Sequence, residues 1–152
     1  MIQRVQSIWL FLASLTLFLL LILPVLTKQS TGGEIWLQVG GVYQHTSTVV
    51  QQMETYSGLF GLTIFAGVVC LYNIFNFKNR TLQKRVVLLA ILLILIIIGC
   101  VAGYAWKITD GMKDGSLAIG TALPPLALIF CALAFRGIRK DEQLIRSADR
   151  LR

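Results

Sequence analysis

Charge is scarce in this chain. Of its 152 residues only 14% are charged and 56% are apolar by type, whereas a soluble domain carries nearer a quarter charged residues. That scarcity excludes a disordered tail and argues against an ordinary soluble domain. Histidine occurs once, at His45, which excludes a haem held by two histidines and any multi-histidine metal site. Cysteine occurs three times, at Cys70, Cys100 and Cys131, with no C-x-x-C spacing. A disulfide relay needs an exposed pair with an activated thiol, so the three are read as small apolar fillers. No P-loop, G-x-S-x-G or H-E-x-x-H pattern is present. The sequence therefore assigns no catalytic residue, no metal ligand and no cofactor.

What the chain does have is four blocks free of Asp, Glu, Lys, Arg and His: Val5–Thr27, Tyr56–Phe77, Val86–Trp106 and Ser116–Phe135. Each reaches the ~20 residues that a helix needs to cross a bilayer, and a segment in lipid satisfies its own backbone by becoming helical. The third holds thirteen consecutive aliphatic residues, Val86–Ile98. Too little chain remains outside the blocks to cover them as soluble core helices. The first is longer than a signal-peptide core and lacks an A-x-A-like cleavage site, so it is expected to be a retained anchor. The blocks contain no ionisable group, which argues against ion-coupled transport by this chain alone.

Basic residues set the orientation. Eleven of the fourteen lie at the N-terminus (Arg4), in the second connection (Lys78, Arg80, Lys84, Arg85) and in the tail (Arg136, Arg139, Lys140, Arg146, Arg150, Arg152). Only Lys28, Lys107 and Lys113 fall on the other side. Both termini are thus expected in the cytoplasm, and the net charge of +7 is a topology signal before it is a nucleic-acid signal; no nucleic-acid partner is expected. The cluster at 78–85 suits anionic lipid headgroups.

The outer loop, 28–55, holds Glu34–Val39 and Val42–Ser47 about Gly40-Gly41, a pattern for a tight β-hairpin or else a loosely ordered loop. Gln51–Thr55 reads as a polar first turn extending the second span, and Lys107–Gly115 as a short solvated turn. In the tail, 136–152, Ile138, Leu144, Ile145, Ala148 and Leu151 share one helical arc, on which Asp141 intrudes. Glu142 precedes Arg146 by four, the favourable order for an ion pair. A surface helix on the inner leaflet, a partner-docking helix and a solvated continuation of the fourth span all fit.

Small residues one turn apart (Ser57 with Gly61, Gly99 with Gly103, Ala118 with Ala122) let helices approach closely. Pro124-Pro125 is expected to kink the fourth span, with Gly120 adding pliancy. The expected fold is an all-α transmembrane four-helix bundle, a single membrane domain over 1–152. A small extracytoplasmic β-hairpin is expected between helices 1 and 2.

The start Met1–Gln6, the loop Phe77-Lys78-Asn79-Arg80 with Gln83 and Arg85, and the tail Arg136–Glu142 ending Arg146–Arg152 resemble a bacterial family of four-span inner-membrane proteins catalogued as a domain of unknown function. The resemblance covers the whole chain and is most specific in the tail. It implies a bacterial cytoplasmic membrane and carries over no catalytic residue. The function expected is that of a subunit or assembly factor that contacts membrane lipids. It would meet a membrane or cytoplasmic protein through Lys78, Arg80, Lys84, Arg85, Arg139, Lys140, Arg146 and Arg150. A transporter or channel component for a small or lipidic molecule, and a sensing module built on the outer hairpin, are the alternatives.

Overall fold

A computed structural model describes residues 3–30, 33–46, 49–76, 79–108 and 115–149. Four helices form a ring in which each packs on its two chain neighbours and the first closes on the last: α1 (Gln3–Leu20), α2 (Ser57–Phe75), α3 (Arg80–Ile108) and α4 (Leu123–Asp149). Among the described residues three stretches are long and apolar enough to cross a membrane, Ser57–Phe75, Arg80–Ile108 and Ile119–Leu144, while Val5–Leu20 is a shorter apolar helix. Length and composition thus suggest a membrane protein.

Side-chain size follows the same logic. Large apolar residues such as Phe11, Phe65, Leu92 and Ile129 point outward, each more than half exposed, a belt that water would tolerate poorly. Helices in lipid gain nothing from burying Leu against Leu, so their contacts depend on close packing. Accordingly the centre holds Ala13, Ala66, Ala90, Ala127 and Ala134 among larger buried Leu and Ile. Cys70 on α2 and Cys131 on α4 are both buried in the same central cluster. Thr16 and Thr63 are buried and return their hydroxyls to the carbonyls of Ala13 and Leu59.

The expected all-α bundle with one small hairpin is corrected by a five-stranded antiparallel sheet at one end. Its strands are β1 (Leu26–Ser30), β2 (Gly33–Gln38), β3 (Gly41–Thr46), β4 (Val49–Thr55) and β5 (Gly115–Leu117), in the order β4-β3-β2-β1-β5. The hairpin anticipated at the glycine pair is its middle, β2 to β3, with the turn one residue early at Val39-Gly40. Gly41 follows at φ +152°, and a Cβ there would lie 2.1 Å from the Glu54 carbonyl oxygen, so no side chain fits.

Each misplaced boundary has a local cause. The first block leaves the helix at Leu20 because Pro24 lacks a donor and pushes its predecessor out of the helical region. The turn tightens through Leu21 N to Phe18 O and Ile22 N to Leu19 O, and Leu26 and Thr27 become the start of β1. Gln51–Thr55 belongs to β4 and not to a first turn of α2. The fourth block is three pieces: Ser116 and Leu117 in β5, a 3₁₀ turn over Ile119–Ala122, then α4. Pro124-Pro125 therefore occupies the first turn of α4, where the missing donors are not needed, and is not a mid-span kink. Gly120 is no hinge either. Its N–H donates to Pro24 O at 2.9 Å, and a Cβ would stand 2.4 Å from that oxygen.

The sheet lays Leu26, Leu37 and Val42, side by side in register, against Ala105 with Tyr104, Ile108 and Tyr56 around them. The opposite face carries Thr27, Trp36, Tyr43 and Gln52, with the Trp36 and Tyr43 rings stacked.

Candidate interaction surface at the tail end

The opposite end of the bundle gathers the polar residues of three distant segments. The elbow between α2 and α3 is built by asparagine. Asn79 caps α3 through its carboxamide to Leu82 N at 3.4 Å, supplying an acceptor to an otherwise unpaired helix-end donor. Asn73 and Gln83, both buried, each donate from the side-chain amide to the other's backbone carbonyl, at 3.2 and 3.4 Å. This pair clips the two helices together where the chain reverses.

The tail is the direct continuation of α4, and it is tied down on two sides. On one side Gln6 of α1 donates to the Asp141 carboxylate at 2.7 Å; the two residues are 5% and 8% exposed. Gly137 makes room, since a Cβ there would sit 3.0 Å from Gln6 Cγ. On the other side the Arg80 guanidinium donates to the Asp141 carbonyl at 3.4 Å, and Lys84 ion-pairs with Glu142. A cleft of about 260 Å³ opens beside this ion pair, lined by Lys84, Phe135, Arg139, Glu142 and Gln143. Asp141, which breaks the apolar arc of the tail, is thus a satisfied buried carboxylate, and Ile138 beside it is buried.

Of the basic residues singled out in the sequence, Arg80 and Lys84 serve as clips, while Arg85, Arg139 and Lys140 are exposed on the same end, joined by Arg136. Lys78 and Arg150 lie outside the described residues; Arg146 is on α4 but its side chain is outside the description. Glu142 meets Lys84; its expected pairing with Arg146 lies outside the described side chains. Gln6, Asn73, Gln83 and Asp141 were not anticipated as contacts. The available signal was an acid on an otherwise apolar helical arc, which calls for a buried donor.

The small-residue positions fare differently from their expectation. Gly61, Gly99 and Gly103 have no atom within 4 Å of where a Cβ would stand, so they mediate no packing within the ring. Ala118 and Ala122 precede α4, in the extended and 3₁₀ segments. Within α2 it is Gly67 that admits a neighbour, the Phe18 ring, as Gly137 admits Gln6 in α4.

At the sheet end a smaller polar group forms around Tyr56, whose ring stacks on Tyr104 with centroids 3.9 Å apart. The Tyr56 hydroxyl donates to Glu54, and Lys107 pairs with the same carboxylate at 3.4 Å. The Tyr56 hydrogen bond, and then Lys107, hold the Glu54 carboxyl below its usual range. Burial, and then the Glu54 contact, push the Tyr56 hydroxyl up to about 12. His45 is exposed on β3. Among the described residues no group of three or more His, Cys, Asp or Glu is placed to hold a metal ion.

A family model for a domain of unknown function, DUF4293, matches residues 2–151. The chain belongs to this family. None of the curated proteins matches it. The DUF4293 match runs through both ends of the bundle, so the sheet, the elbow and the clipped tail all lie within the family domain.

Proposed function

We propose that this DUF4293 chain is a four-span protein of the bacterial inner membrane, with its tail end in the cytoplasm. There it acts as a subunit or assembly factor, docking a membrane or cytoplasmic protein through its basic tail and elbow. The observation that carries this reading is the double clip of α4. Gln6 and Arg80 on Asp141, with Lys84 on Glu142, tie down the stretch of α4 that carries the exposed Arg136, Arg139 and Lys140, at the same end as the exposed Arg85. A basic patch ordered before binding loses less side-chain and segment freedom on association. The eleven-to-three partition of basic residues supports the orientation, and anionic headgroups would line the same surface.

A photo-cross-linker at Arg139 tests the reading in intact membranes. One discrete protein adduct is expected, lost when Lys84 and Arg85 are both replaced by Glu. Adducts with lipid alone, or an unselective smear of neighbours, would refute a docking role.

A further inference from the structure

The cleft beside the Lys84–Glu142 pair lies where the polar tail end meets the apolar belt. Phe135 closes the charge-free fourth block, and Arg139, Glu142 and Gln143 follow it on the same face of α4, at helical spacing. Lys84 faces them from α3, and Leu88, one turn further into the bundle, is 51% exposed. Within two helical turns the walls therefore grade from cations and carboxamide to ring and aliphatic chain. Beyond Phe135 the seam between the two helices stays apolar, since Ile91 and Leu95 on α3 and Ala132 and Leu128 on α4 repeat the same faces. The charges of the cleft do not cancel. The Glu142 carboxylate is taken by Lys84, whereas Arg139 is exposed and forms no ion pair among the described residues. Arg136, one turn closer to the bundle, is exposed as well. About 260 Å³ of space is thus left with excess positive charge above an apolar floor.

We infer that this cleft seats the phosphate headgroup of an anionic phospholipid of the cytoplasmic leaflet, with an acyl chain lying along the α3–α4 seam. The guanidinium fork of Arg139 suits two phosphate oxygens at once. The Lys84 ammonium carries three donors, so it can serve the same phosphate while holding Glu142. A soluble phosphate would meet these cations but leave Phe135 and Leu88 unused. An acidic protein segment would have to bring its carboxylates down to the edge of the hydrocarbon, where charge is costly. Only a molecule with an anionic head and an apolar chain uses both parts of the cleft. The cytoplasmic leaflet is the one with the negative surface, so the inference rests on the membrane placement and orientation proposed above. It requires no protein partner.

Native mass spectrometry of the full-length chain released from detergent tests the seat, with phosphatidylglycerol or phosphatidylcholine of the same acyl chains offered in turn. One phosphatidylglycerol should stay bound under conditions that strip phosphatidylcholine. At unchanged circular dichroism, Arg139→Gln should weaken that binding by about ten-fold or more, as the loss of a charge-assisted hydrogen bond does. Lys140→Gln, the same charge change one residue outside the cleft, should weaken it by less than about two-fold. Free glycerol phosphate should not displace the lipid. Equal retention of the two lipids, or equal losses in the two variants, overturns the inference in favour of a diffuse basic surface. Displacement by glycerol phosphate overturns it in favour of a plain anion site, and displacement by an acidic peptide in favour of a protein ligand. A discrete protein adduct from position 139 beside any of these results leaves the docking role standing, so the two readings fail separately. A chain that stays in solution without detergent overturns both.

Discussion

At the sheet end, distant segments are joined chiefly through backbone, with side chains such as Thr121 and Ser116 adding to it: Val25 N donates to Leu37 O, Ala118 N to Val25 O and Gly120 N to Pro24 O. At the tail end the joints are side chains, Gln6 with Asp141, Lys84 with Glu142, and Asn73 with Gln83. Backbone joints depend on residues that are small enough, side-chain joints on residues that are polar enough. The two ends should therefore fail to different kinds of substitution, and the difference can be measured.

The largest effects belong to the glycines of the sheet end. Gly41→Ala forces a Cβ into the Glu54 carbonyl at a positive φ, and Gly120→Ala forces one into Pro24. Gly41→Ala should cost about 3 kcal/mol or more, since its strained backbone alone accounts for about 1–3 kcal/mol, and Gly120→Ala, an overpacking clash against backbone, about 1–3 kcal/mol. Thermal unfolding in detergent should show the loss, and a change below 1 kcal/mol would mean that the close approaches relax freely. Next is the tail. Gln6→Leu strips a donor from the buried Asp141 carboxylate and should cost about 1–3 kcal/mol. Adding Asp141→Leu should recover much of that loss, because no polar group is then stranded. Proteolysis of the tail should accelerate in the single variant and slow again in the double.

The sequence shows the helices because each is a long block without charge, and the tail end because its basic residues cluster. It hides most of the sheet. Leu26 and Thr27 continue the apolar run of the first block, so nothing but Pro24 marks where helix gives way to strand. β4 has neither face buried, so Val-Val-Gln-Gln-Met-Glu-Thr lacks the apolar alternation that identifies a half-buried strand. β5 is too short to leave a pattern and is specified by β1, a partner far away in the chain. The clip at Asp141 is visible only as a defect in an amphipathic arc, because its partner Gln6 comes from the opposite end of the sequence.

Two smaller effects sharpen the contrast. Gly103→Ala meets open space and should be neutral or stabilise by about 0.4–1 kcal/mol, as an unstrained helical Gly→Ala does. A destabilised variant would show that a second helix covers that face. The polar group at the sheet end should respond to pH at both extremes. Tyr56 titrates near 12 in the fold against 10 as a free group, so its contribution is complete below pH 10 and lost between 10 and 12. Glu54, with its carboxyl lowered, contributes above its ordinary range and loses that contribution as acid protonates it in the fold. Tyr56→Phe should return the Glu54 titration, followed by carboxyl NMR, toward 4.5; no movement would mean that Lys107 alone sets it.

β5 is delivered by the stretch between α3 and α4, and its partner β1 is made before α2. During synthesis β1 must therefore wait, one side bare, until three-quarters of the polypeptide has emerged. Closure of the sheet and arrival of the fourth helix become a single event, with Pro24 and Gly120 meeting as α4 settles. A chain truncated before β5 would lack that seal and leave the outer side of β1 bare.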